Sequence, residues 1–133
     1  GTSQRTASAV QAFEKLEATR PLAVSRFCQR SERLVSKTFE NWGDPGLSIL
    51  RQSESAGKLM AELAKLLNAD APVPEFLLAA TKISGGVIKP SGSLGGDCVC
   101  LLADTSENLE RVKVMAEGAG YELLDLKPIF GGR

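Results

Sequence analysis

The groups most able to do chemistry in this chain are gathered between Lys89 and Cys98, in the run Lys-Pro-Ser-Gly-Ser-Leu-Gly-Gly-Asp-Cys. Gly92, Gly95 and Gly96 alternate with the hydroxyls of Ser91 and Ser93, and Asp97 closes the run. Glycine permits positive φ and lets a ligand approach bare backbone N–H groups. A tight loop of this kind can aim several N–H donors at one anion. A phosphate or carboxylate is therefore the ligand such a loop would hold. The same residues also suit a long Gly/Ser hairpin joining two strands, and residue types alone do not separate the two. Lys89 could offer its charge to a phosphate, against the plainer reading of a solvated lysine at a strand end.

Several kinds of chemistry are excluded by composition. The chain has no histidine, which removes the commonest general base, Ser-His triads and most zinc sites. Its three cysteines, Cys28, Cys98 and Cys100, have no metal-ligand spacing, so no metal is expected, and an odd number fits a reducing compartment, the cytoplasm. Cys98 and Cys100 lie two apart on one strand and are expected to fill the core from the same side. Sixteen basic residues balance sixteen acidic ones, so nothing draws the chain to nucleic acid. No apolar run approaches the roughly 20 residues that span a bilayer, so no membrane partner is expected.

The elements that must position the loop follow from periodicity and breakers. A cap at Ser8 and the stripe Val10, Phe13, Leu16 predict a first helix ending at Pro21. A second helix is predicted over about 22–39, with Leu22, Val24, Phe27, Leu34, Val35 and Phe39 as its apolar members. Asn41 to Gly46 is a cluster of breakers, hence a turn, in which Trp42 reads as a core plug. A third helix is predicted over about 47–67, rich in buried leucines. Gly57 inside it lowers helix stability by roughly 1 kcal/mol relative to alanine, which a close approach to a neighbouring helix would explain. Pro74 opens a short fourth helix to about Thr81. Gly85-Gly86 then turns into a strand through Lys89. After the glycine loop, Asp97–Ala103 is apolar enough for a strand that is buried on both faces or central. Capping residues at Asp104 to Ser106 start a helix that ends at Gly118–Gly120, and Tyr121–Leu126 reads as a last strand. The whole, 1–133, reads as one α+β domain, with helices packed on a small, mainly antiparallel sheet and a ferredoxin-like strand-loop-strand-helix-strand end.

Ser91-Gly92-Ser93-Leu94-Gly95-Gly96-Asp97-Cys98 resembles the third motif of the GHMP small-molecule kinases. The form it is most similar to is the Ser-Gly-Ala-Gly-Gly-Gly-Asp-Cys of phosphomevalonate kinases; the Asp-Cys ending favours that branch over galactokinase, homoserine kinase or mevalonate kinase. The order of elements from Leu63 to Pro128 is similar too, and the opening Gly1 to Thr6 resembles, through Gly1 and Thr6, the family's entry to its C-terminal domain. The resemblance implies the C-terminal domain of such an enzyme, the N-terminal ATP-binding domain being absent from this sequence. It implies ATP and Mg²⁺ for the intact enzyme, and a small phosphorylated alcohol as substrate. Ser91, Gly92, Ser93, Gly95 and Gly96 would line the acceptor and phosphate side. Asp97 would hold the loop's shape through backbone N–H groups, with Lys89 and Thr6 as accessory residues and no catalytic residue in this chain. Leu94 and Ser93 depart from the family's glycine and alanine. If residue 94 needs positive φ, leucine is strained there by roughly 1–2 kcal/mol. A domain separated from its partner should also expose apolar surface and self-associate. The alternatives are a stand-alone anion-binding or regulatory module, or another member such as a mevalonate kinase or diphosphomevalonate decarboxylase.

Overall fold

The computed structural model describes the backbone of residues 2–91 and 98–124, and side chains from residue 7 onward. Among these residues five helices pack on a two-stranded antiparallel sheet: α1 (Thr2–Thr19), α2 (Pro21–Glu40), α3 (Ile49–Leu66), α4 (Glu75–Ile83), β1 (Gly86–Pro90), β2 (Val99–Ala103) and α5 (Ser106–Gly118). The class is α+β, as the sequence predicts.

Helix boundaries follow local chemistry. The first helix begins at Thr2 rather than behind a cap at Ser8. Pro21 ends it and opens α2, where the missing N–H is harmless in the first turn. Ser48 caps α3 by accepting from the Arg51 N–H, and Thr105 caps α5 by accepting from the Asn108 N–H. Two helices close with Schellman motifs. At the end of α3, Asn68 takes φ 52° and the Ala69 N–H reaches the Ala64 carbonyl at 2.8 Å. At the end of α5, Gly120 takes φ 98° and the Tyr121 N–H reaches the Ala116 carbonyl at 3.1 Å.

β1 is the centre of the molecule. It pairs with β2 in the register Gly86↔Ala103, Ile88↔Leu101 and Pro90↔Val99. α3 and α4 both pack on it, and α5 packs on both strands. Ile88, Leu77 and Val73 form the innermost cluster, with Val99, Leu101, Met115 and Tyr121 around them. On the other side, a Cβ added at Gly57 would lie 3.5 Å from the Lys89 Cβ. Gly57 therefore faces a strand and not a helix, and at an ordinary contact distance, so the expected close approach is not there.

Four expectations are corrected. Tyr121–Leu124 forms no strand, and the remainder of the predicted third strand lies outside the described residues. Among the described residues β2 pairs with β1 alone, so it is not the central strand expected. Cys98 and Cys100 are exposed, not core-filling, because the face of β2 that carries Cys100 is left open while its Val99 and Leu101 face packs on the cluster. Trp42 is 70% exposed, because the turn after α2 carries it away from the sheet.

Candidate functional site

The glycine run joins β1 to β2. Antiparallel pairing continues to Pro90↔Val99, and beyond it the Ser91 N–H donates to the Cys98 carbonyl at 3.0 Å. These contacts fix the two stems at Ser91 and Cys98. Gly92, Ser93, Leu94, Gly95, Gly96 and Asp97 lie outside the described residues, and the conformation expected at Leu94 falls there with them. Ser91 is exposed at the loop's entrance. Lys89 is half-buried at the end of β1, and its Nζ donates to the Pro90 carbonyl at 3.1 Å. One of its three donors is thus used by the adjacent backbone. Lys89 and Cys100 are cross-strand neighbours and share a sheet face. Thr6 is in α1, whose main contact is with α2.

The glycines ahead of β1 have a different purpose. Gly85 has φ 75°, and a Cβ there would come within 2.7 Å of Asn108 Nδ2. A Cβ at Gly86 would overlap Val112 Cγ2 and lie 3.0 Å from the Leu102 carbonyl. Both serve the close seating of β1 against α5, not a ligand.

The polar side chains of the described region outline a second feature that the sequence reading missed. α2 and α3 run antiparallel, joined by the forked Arg30–Glu62 pair and by a hydrogen bond from Thr38 Oγ1 to Gln52 Oε1 at 3.2 Å. Between these ties lies a groove of about 290 Å³ with Arg33, Lys37, Ser55 and Lys58 on its walls and Leu34 and Leu59 beneath. The signal was available, because Arg26, Arg30, Arg33 and Lys37 recur at spacings of four, three and four, which is one row of a helix. Glu54, on α3, accepts from both Lys58 and Lys82 at 3.2 Å. The hydrogen bond from Lys58, then that from Lys82, holds its carboxyl below the usual carboxylate range.

Among the described residues no group of three or more His, Cys, Asp or Glu side chains could hold a metal ion, and no helix is long and apolar enough to cross a membrane. At the loop entrance, the Ser91 hydroxyl and Lys89 ammonium are donors suited to a phosphate rather than ligands for Mg²⁺. Comparison with known proteins gave no match to any family model, curated protein or solved structure.

Proposed function

We infer that this chain is the acceptor-side domain of an ATP-dependent small-molecule kinase resembling the phosphomevalonate kinases, and that it lines the substrate through its glycine loop. The observation that carries the reading is the segment Ser91 to Cys98, set between two paired strands and followed at once by a capped helix. Phosphoryl transfer depends on positioning and charge neutralisation more than on covalent chemistry, which is compatible with a chain that has no histidine. Backbone N–H groups at Gly92, Gly95 and Gly96, with the Ser91 and Ser93 hydroxyls, would bind the phosphate of a small phosphorylated alcohol. Asp97 would fix the loop's shape by accepting from its N–H groups. Mg²⁺ bound with ATP neutralises charge on the transferred group, and in the resembling family the loop that holds ATP belongs to another domain. This chain would therefore bind the acceptor without turning over ATP.

The test is an ADP-release assay on the protein purified from its native source, beside the 133-residue chain. The native protein is expected to release ADP from Mg-ATP when phosphomevalonate is added, and the chain alone is expected to release none. ATP turnover by the chain alone would overturn the reading, as would a native protein silent towards phosphomevalonate, mevalonate and diphosphomevalonate. ADP release with mevalonate instead would move the assignment to a sister member of the same family.

A further inference from the structure

We propose that the groove between α2 and α3 is a second anion site, separate from the glycine loop, which binds a di- or triphosphate group. Four cations, Arg30, Arg33, Lys37 and Lys58, line it against one carboxylate, Glu62. Glu62 is already engaged by Arg30, and Lys58 shares Glu54 with Lys82. Among the described residues Arg33 and Lys37 have no ion pair, although like charges four apart on a helix repel. The α2 dipole favours Lys37, which lies in the last turn, but does not reach Arg33. In a chain of zero formal net charge, this is a local excess of positive charge facing a concave surface.

The dimensions select the ligand. The ties at Arg30–Glu62 and Thr38–Gln52 bound the groove to about two turns of α2, roughly 12 Å at the helical rise. That length matches a short run of phosphoryl groups and is too short for a nucleic-acid backbone to track. Arg33 offers a fork that fits phosphate oxygens, Lys37 and Lys58 offer point charges from either wall, and the Ser55 hydroxyl adds a neutral donor. Leu34 and Leu59 lie beneath these donors and lower the local dielectric, which strengthens each contact.

The experiment is amide chemical-shift mapping of the full 133-residue chain with inorganic pyrophosphate, ATP and AMP as separate titrants at constant ionic strength. Pyrophosphate is expected to give saturable shifts at residues 30–38 and 52–62, with or without shifts at the glycine loop, weakening as sodium chloride rises. Arg33→Gln with Lys37→Gln should lower the affinity roughly tenfold or more, as loss of two charge-assisted contacts implies. Lys65→Gln, on α3 outside the groove, should leave it unchanged. Equal binding of pyrophosphate and ATP identifies the bare polyphosphate as the ligand, whereas much tighter binding of ATP, with AMP weak, identifies a nucleotide's phosphate chain. Absence of saturable shifts with pyrophosphate, shifts confined to residues 89–98, or equal shifts with sodium sulfate would overturn the proposal. So would binding of single-stranded RNA alone. Shifts at residues 89–98 would support the loop as a phosphate holder while overturning the groove, and the other outcomes leave the kinase reading, which rests on the loop, untouched.

Discussion

A side chain at Gly86 has nowhere to go, and one at Gly57 has room. A Cβ on Gly86 meets Val112, which is fully buried on α5, and the backbone of β2, so neither neighbour can retreat cheaply. Gly86→Ala is expected to destabilise the chain by about 1–3 kcal/mol, read from urea unfolding. At Gly57 the nearest atom to a new Cβ is 3.5 Å away, an ordinary contact, and the residue lies in the interior of α3. Gly57→Ala should therefore stabilise by roughly 0.5–1 kcal/mol through helix propensity and a less flexible unfolded chain. Opposite signs for the same chemical change would separate a packing glycine from a tolerated one. Glu54 gives a third single-residue test. Its folded-state pKa is lowered by Lys58 and Lys82, so its contribution is present above the unfolded value of about 4.3 and is lost as pH falls through the folded value. Glu54→Gln should cost less than about 1 kcal/mol at pH 7, because the pair is largely solvated, and the difference from the parent should shrink as unfolding is repeated at successively lower pH below the unfolded value.

At the scale of elements, α5 is the piece that closes the sheet, and its start depends on one hydroxyl. Thr105→Ala removes the acceptor for the Asn108 N–H at 3.1 Å and should cost about 1 kcal/mol, while Thr105→Ser should recover most of it. Such local signals explain what was legible in the sequence. Pro21, the breaker cluster at Asn41–Gly46, Pro74 and Gly118–Gly120 each impose a backbone restriction by themselves, and apart from the start of α1 the helix ends lie close to where those residues put them. Burial was less legible, because it depends on which elements cover a face. The apolar run of β2 reads as buried on both faces or central, yet Cys100 on one of those faces is exposed. The end of α3 was read close to where it falls, although it is asparagine and not glycine that takes the left-handed conformation there. The loop motif was read as chemistry from its glycines and hydroxyls, and its residues 92–97 lie outside the described residues. The α2–α3 groove was not, since a row of cations on one helix becomes concave only when a second helix is laid beside it.

At the scale of the whole molecule, the outer apolar residues are too many and too ordered to be incidental. Val35, Phe39 and Trp42 recur at spacings of four and three along the end of α2 and into its turn, and they are 52%, 76% and 70% exposed. Isolated apolar residues on a surface need no explanation, but a row of large ones is characteristic of a face that meets another protein surface. This row includes the chain's single tryptophan, so its environment can be followed directly. In dilute solution Trp42 should emit as a solvent-exposed indole and be readily quenched by iodide. If the row meets a second copy of the chain, raising the concentration should shift the emission to the blue and protect it from iodide, with a matching rise in weight-average mass by sedimentation. Phe39→Asp should abolish both changes without altering the far-ultraviolet circular dichroism, because Phe39 contributes little to the interior of the monomer. Exposed, quenchable tryptophan and constant mass across the whole concentration range would show that this face does not self-associate.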